Sequence, residues 1–262
     1  MINLKIIFAI MVSYFYYWKH SLDRIGDSFY WPAINLLLWG LTSVYIKQAS
    51  KDIPQIIIIV LSGVVFWLIV WKASQEITIN LLEELWNRNL VNVFATPIRI
   101  REWIIANILS GIFKTALSLV FAGILAYLLY AFNIFNYGFL LIPFIASLLI
   151  SGWLIGFFVA GIIFRFGPNY QTLAWTGPML ISPFAALYYP VSTLPDWAQI
   201  IAKFVPASYI FEGMREILFT GMLSHDKLLI SFVLNIIYFT LSILFFVAMF
   251  RKSRRLGLNR LI

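Results

Sequence analysis

An all-α, polytopic membrane protein is the fold class this sequence predicts, and three observations predict it. Hydrophobic residues make up 62% of the 262-residue chain and charged residues 11%, against about 25% charged in an average soluble domain. Several continuous apolar runs reach the roughly 20 residues that an α-helix needs to cross about 30 Å of hydrocarbon. The remaining charges gather at the ends of those runs instead of forming one water-facing surface. Run length argues against a transmembrane β-barrel, whose strands are about half as long and alternate in polarity. The net charge of +8 therefore belongs to membrane topology and not to a nucleic-acid footprint. With no cysteine in the chain, disulfides, thiolate metal sites and thiol nucleophiles are excluded, and the redox compartment is left open.

Taken in order, the chain starts with MINLKIIFAIMVSYFYYWKH. It carries a lysine and an apolar run as a signal peptide does, but the run is crowded with aromatics and lacks a small-residue cleavage site. Residues 1–26 are read as a retained helix in the inner interface, where Lys5, Lys19 and His20 sit among large apolar side chains. A seventh crossing over 2–20 is the alternative. Six crossings follow, at about 27–46, 54–72, 103–130, 139–164, 173–190 and 228–250, and an even number puts both termini on one side. If that side is the cytoplasm, Lys5, Lys19, Arg24, Lys72, Arg88, Arg99, Arg101, Arg165, Arg251, Lys252, Arg254, Arg255 and Arg260 lie inside. Only Lys47, Lys51, Lys203, Arg215 and Lys227 lie outside, with Lys114 within a span, as the positive-inside rule requires. The expected location is the cell membrane, inner or plasma, multi-pass, with both termini cytoplasmic and a basic tail over 251–262.

The whole of 1–262 reads as one membrane domain with no linker and two long polar excursions, 74–102 inside and 191–227 outside. No internal repeat is evident, which counts against inverted-repeat carriers. In the inner excursion Ile77, Leu81 and Leu85 form one stripe and Leu82, Trp86, Leu90 and Val93 flank it. Asn80, Glu83, Glu84, Asn87 and Arg88 lie opposite, which is amphipathic helical spacing. Thr96 precedes Pro97, which turns the chain before the next span. Such a helix parallel to the membrane, with its acidic and amide face in the cytosol, either docks a soluble partner or only anchors the loop. In the outer excursion an apolar run breaks at Pro190 into a proline-punctuated amphipathic segment that does not restart as a full span. Within it Glu212 and Arg215 are spaced to pair at i,i+3, either to hold a helix or to latch a gate.

The two excursions together carry a resemblance. Glu84, Arg88, Leu90, Ala95-Thr96-Pro97, Arg99 and Glu102 resemble the loop between the second and third spans of ABC-2 type export permeases. Tyr189-Pro190-Val191, Leu194-Pro195, Trp197, Pro206, Tyr209 and Glu212-Gly213-Met214-Arg215 resemble the end of the same permease domain. The order and spacing match along nearly the whole chain. That resemblance implies a homodimer of six-span permeases exporting a drug, lipid-like or polysaccharide cargo. It implies that an ABC ATPase subunit, which binds ATP and Mg, contacts a coupling helix through Glu83, Glu84, Asn87, Arg88, Thr96, Pro97 and Arg99. It further implies a re-entrant outer gate built from Pro190, Pro195, Trp197, Pro206, Tyr209, Glu212 and Arg215, with short helices at 196–203 and 207–219. The stretch SLDRIGDSFYWPAINLLLWG departs from the Arg-Tyr and Leu-Gly pattern of O-antigen and capsule permeases, which counts against a polysaccharide cargo.

Within the spans, Ser147, Ser151, Gly152, Gly156 and Ala160 recur at small-xxx-small spacing, which lets helices approach closely in lipid; the partner helix is left open. Lys114 lies two to three turns inside the third span and either snorkels to the inner interface or serves the transport pathway or coupling. Trp31, Trp71, Trp103, Tyr130 and Tyr137 sit at span ends as interfacial belts. Trp39, Trp153, Trp175, Tyr188 and Tyr189 either line a channel and stack on cargo, as in polysaccharide exporters, or pack against lipid.

Catalysis is poorly supported. His20 and His225 are the only histidines, fall on opposite sides in this topology, and have no metal-ligand spacing. No Gly is followed by Lys, so the phosphate-cradling loop with its essential lysine is missing and energy comes from a partner. No catalytic, cofactor-binding or metal residue is expected in this chain, and no nucleic-acid partner. The rival reading is an ATP-independent channel or ion-coupled carrier, which needs ionisable residues inside several spans, where Lys114 alone is clear.

Overall fold

The computed structural model describes residues 2–49, 56–222 and 224–258; Lys51 and Arg260 of the charge tally lie outside them. The described residues form α1 (Leu4–His20), α2 (Leu22–Ala49), α3 (Ile56–Trp86), α4 (Leu90–Ala95) and α5 (Ile100–Tyr130). They continue with α6 (Leu141–Phe166), α7 (Leu173–Ile181), α8 (Asp196–Ala202), α9 (Pro206–Thr220) and α10 (His225–Arg255). Among the described residues five helices are long and apolar enough to cross a membrane: α2, α3, α5, α6 with the short turn before it, and α10. The chain is therefore a multi-pass membrane protein.

The expected crossing over 173–190 is not one continuous helix. It opens as α7, which carries Pro178 inside it and ends at Ile181. A single 3-10 turn, Ser182–Phe184, follows, and Ala186 then takes a left-handed φ of 57°. Proline lacks an N–H and clashes with the carbonyl four residues earlier, so Pro178, Pro183 and Pro190 divide what composition alone reads as a span.

The second departure concerns α3. Its apolar stretch was expected to end near residue 72 and a separate surface helix to begin; instead one helix of 31 residues runs to Trp86. Ile77, Leu81, Leu82 and Leu85 are at most 4% exposed, so the stripe that suggested a membrane-parallel helix faces the protein core.

α3 is the centre of the bundle, packed against α6 on one side and against α5 and α2 on the other. The α3–α6 contact depends on the absence of side chains. A Cβ on Gly152 would come within 2.6 Å of the Ala73 Cβ and the Val70 carbonyl, and one on Gly156 within 2.8 Å of the Ser74 carbonyl. α6 also packs on α10. Asn235 Nδ2 donates to the Ser147 carbonyl at 3.0 Å and to Ser147 Oγ at 2.8 Å, Ser151 Oγ donates to Asn235 Oδ1 at 2.9 Å, and Ser147 Oγ meets Ser231 Oγ at 2.8 Å. The small-residue row of α6 thus finds both its partners inside this chain. Below these bonds Trp103 stacks on Phe246, with centroids 5.5 Å apart, and Phe157 and Phe164 close around the same ring.

α2 carries Pro32 in its interior, which leaves the Ser28 carbonyl without its helical donor. Ser118 Oγ of α5 donates to that carbonyl at 3.0 Å. A helix break that hydrocarbon could not satisfy is thus met by a neighbouring helix, and it fixes α2 against α5.

Candidate functional site

Three places carry polar chemistry: the elbow between α3 and α5, a layer of charges around α3, and a cavity lined by aromatic rings. At the elbow α3 ends in a Schellman motif, in which the Asn89 N–H donates to the Glu84 carbonyl at 2.8 Å and the Arg88 N–H to the Leu85 carbonyl at 3.0 Å. The motif needs a left-handed residue at its turn, and Arg88 supplies it with φ 53° where glycine is usual. α4 follows for six residues, and Thr96 is extended with ψ 166° before Pro97, as a residue preceding proline prefers. α5 then starts at Ile100, where Glu102 accepts from the Arg99 N–H at 2.9 Å and from the Asn3 N–H at 2.9 Å. One carboxylate thereby ties the start of α1 to the start of α5.

The structure divides the seven residues expected at this contact. Asn87, Arg88, Thr96, Pro97 and Arg99 are exposed on the elbow. Glu84 is 6% exposed and accepts from Asn89 Nδ2 at 2.7 Å, while Glu83 pairs with Arg24. The acidic face that was expected in the cytosol is thus turned into the protein, because α3 does not bend at the membrane surface but continues between α2 and α5.

Around that stretch of α3 three cations meet three carboxylates. Arg24 pairs with Glu83 and donates to Asn80 Oδ1 at 3.1 Å. Lys72 pairs with Asp27 and donates to the Asp27 carbonyl at 2.6 Å. Lys114 pairs with Glu76 at 2.8 Å. Asn80 and Asn107 extend the layer, with Asn80 Nδ2 donating to Asn107 Oδ1 at 2.9 Å, and Trp18 Nε1 donates to Ser28 Oγ at 3.0 Å. Lys114 thus neither snorkels nor meets the cavity described below; it is 3% exposed and neutralised by α3. A lone charge in hydrocarbon costs several kcal/mol, and pairing is what makes it tolerable. Glu76 and Asp27 escaped the sequence reading, and Glu83 was read as a cytosolic contact instead of a buried ion-pair partner, because hydropathy ended the second span at residue 72 and began the first at 27. A helical period continued past Lys72, placing Glu76 and Asn80 at i+4 and i+8, is the signal that finds them.

Between α2, α3, α7 and the turn after it lies a cavity of about 600 Å³. Trp31, Trp67, Trp71, Trp175 and Tyr188 supply its rings, and Asp27, Lys72 and Gln75 its polar end. At the opposite end Tyr188 stacks on Trp39, with centroids 4.5 Å apart and planes 19° from parallel. The adjoining Leu187 backbone presses on Gly63 so closely that a Cβ there would come 2.5 Å from the Leu187 carbonyl. Leu187 and Tyr188 thus belong both to the cavity lining and to these contacts with α3 and α2. Trp153 packs instead against Phe239, and the Tyr189 hydroxyl donates to the Pro183 carbonyl at 2.8 Å.

The proline-punctuated segment follows Tyr188 and Tyr189 in the chain. Pro190 leads into a 3-10 turn over Val191–Thr193, whose Val191 N–H donates to Glu212 Oε1 at 2.8 Å. Arg215 donates to the same oxygen at 2.9 Å, so Glu212 fastens the turn to α9 and is held by the partner its spacing predicts. Pro195 precedes α8, and Trp197 meets Phe184 edge-on at 6.1 Å. Pro206 opens α9 and its carbonyl accepts from Ser231 at 2.8 Å; the Tyr209 hydroxyl donates to the Lys203 carbonyl at 2.9 Å. Glu216 receives the Ser224 hydroxyl and the Lys227 ammonium, the latter at 3.0 Å. Hydrogen bonds from Ser224 and then Lys227 hold its carboxyl down at about 2.

Among the described residues no cluster of His, Asp or Glu is arranged to hold a metal ion. A family model described as ABC-2 type transporter matches residues 6–219. None of the curated proteins compared with the chain matches it.

Proposed function

The chain belongs to the ABC-2 type transporter family, and from that premise we propose that it is the permease subunit of an exporter driven by a separate ATPase subunit. The family makes it a membrane component of an ABC-type transporter and implies an ATP-binding partner. The observation that carries the finer reading is the exposed elbow of residues 87–99. It is the surface connection between two membrane-crossing helices, and both of those helices border the buried charge layer. Movement imposed on Asn87, Arg88, Thr96, Pro97 and Arg99 by a partner would pass into α3 and α5 as rigid bodies. α3 forms one wall of the aromatic cavity.

In this reading both termini and the elbow are cytoplasmic, α1 lies in the inner interface, and two copies of the chain work with two ATPase subunits that hold ATP and Mg. The cavity is the cargo's inner berth, and Trp39, Leu187 and Tyr188 close it toward the outer face. The segment over 191–227, fastened by Glu212, is the outer gate that must yield for release. Cargo leaves the cell as the Trp39, Leu187 and Tyr188 closure opens.

One observation favours a second reading, an ion-coupled carrier: six ionisable side chains lie within or at the edges of crossing helices where sequence reading found one. The test is purification of the tagged chain from native membranes in mild detergent, with identification of what accompanies it and an assay of ATP hydrolysis. A two-plus-two complex whose ATPase activity falls on Arg88→Glu supports the exporter. A chain that purifies without a nucleotide-binding subunit, under conditions that preserve other ABC complexes, supports the carrier.

A further inference from the structure

We infer that the aromatic cavity binds a monovalent organic cation with a bulky apolar body. This rests on the permease reading for the claim that the cavity's occupant is cargo, and it adds the chemistry that occupant must have. A volume of about 600 Å³ falls within the roughly 300–1,000 Å³ of sites that enclose drug-sized molecules. Four indoles and a phenol line it, and the faces of such rings carry negative potential that attracts cations.

The decisive feature is which polar atoms are still unspent. Lys72 is 3% exposed, and its ammonium is engaged by both the carboxylate and the carbonyl of Asp27. Asp27 is the accessible member of the pair, with 39% of its side chain exposed, and only one of its carboxylate oxygens is used by Lys72. Gln75, 4% exposed, has an amide oxygen with no hydrogen-bond partner, and a buried acceptor left unpaired is costly. Asn35 Nδ2 and Ser182 Oγ, also in the lining, already donate to the Trp31 and Met179 carbonyls of their own segments. The cavity therefore offers a ligand unspent carboxylate and amide oxygens at one end and aromatic faces, with their indole N–H and phenol O–H groups, along the walls. An anion would meet Asp27 before it met Lys72.

The probe pair is tetraphenylphosphonium and tetraphenylborate, which share a shape and differ in the sign of the charge. Binding to the full chain in nanodiscs of zwitterionic lipid, with partition into empty nanodiscs subtracted, is expected to be saturable for the cation and at least about tenfold tighter than for the anion. Trp175→Leu removes one exposed ring wall and should weaken the cation about tenfold. The double change Asp27→Asn with Lys72→Met removes both charges at once, so that neither is stranded, and should abolish the preference for the cation while the melting temperature is kept. Equal affinity for the two probes, or cation binding unaltered by both variants, would overturn the inference. So would an uncharged oligosaccharide that binds more tightly than the cation and loses affinity on Trp175→Leu. The permease reading fails separately: cation binding by a chain that recruits no ATPase leaves this inference standing, whereas an ATPase-coupled chain that binds no cation sinks it alone.

Discussion

On one side of α3 lies α6, which meets α3 through absent side chains and α10 through aromatic rings and neutral hydrogen bonds; on the other side α3 meets α2 and α5 through three ion pairs. The two sides hold in different ways. Contacts at Gly152 and Gly156 bring backbones within van der Waals range, and such packing is lost as soon as helices separate, since lipid offers no hydrophobic drive to restore it. Ion pairs act over longer distances, and their net contribution is small because attraction is offset by the loss of water. They punish the removal of one partner far more than a shift of both. Separating α6 from its neighbours would therefore forfeit that packing outright, whereas a small shift of α2 and α5 would keep their ion pairs with α3. The cavity and the elbow both adjoin the second side.

The comparison breaks most visibly if one charge is stranded. Glu76→Gln, which leaves Lys114 without its partner, should destabilise the chain by about 3–5 kcal/mol, read as a fall in thermal midpoint in detergent. Adding Lys114→Met to it should recover most of the loss. If the single change were harmless, the pair would be solvated and the contrast between the two sides would vanish. Next in size is Gly152→Ala, whose Cβ would meet the Val70 carbonyl and the Ala73 Cβ; overpacking of this kind costs about 1–3 kcal/mol. Because the obstacle is partly backbone, Ala73→Gly should rescue only part of it.

Asn235→Leu should cost about 1 kcal/mol, since interhelical hydrogen bonds in membranes average about 0.6 and reach about 1.7 kcal/mol. Its effect is confined to the α6–α10 side and should leave ATP hydrolysis by the complex coupled. Arg88→Gly sharpens the comparison from the elbow. Relief of the left-handed backbone should raise stability by about 1 kcal/mol while lowering coupled ATPase activity, an opposition that a purely structural Arg88 does not produce. The smallest effect belongs to Glu216. Its folded value of about 2 lies below the ordinary 4.5, so its contribution is present above about 4.5 and is lost as pH falls toward 2. Glu216→Gln should therefore narrow the stability difference between pH 7 and pH 3, and only slightly, because 23% of the side chain is exposed and screened.

Hydropathy made the crossing helices legible, because bilayer thickness imposes a length that composition alone reveals. It misplaced the end of α3, because the helix continues where the apolar run stops, and buried polar groups look like a surface loop until their partners are known. Lys114 was visible as an anomaly; its answer, Glu76, lies 38 residues away in the chain and only folding brings them together. The interrupted crossing over 173–190 was written in Pro178 and Pro183, which mattered more than mean hydropathy. Glu212 with Arg215 was found because helical spacing is local. The cavity was legible only in part: Trp175 and Tyr188 were offered as channel-lining rings, but Trp31 and Trp71 read as belt residues until α2, α3 and α7 place them around one space.

The natural absence of cysteine permits the most direct test of the elbow as the ATPase contact. Single cysteines are placed at Asn92 on the elbow and at Lys203 at the far end of the molecule, both exposed, and the native complex is treated with a short bifunctional thiol-to-amine cross-linker with and without ATP. The account predicts a cross-link to the nucleotide-binding subunit from Asn92→Cys, altered in yield by nucleotide, and none from Lys203→Cys. An ATPase that co-purifies but cross-links from position 203 and not from position 92 would contradict it.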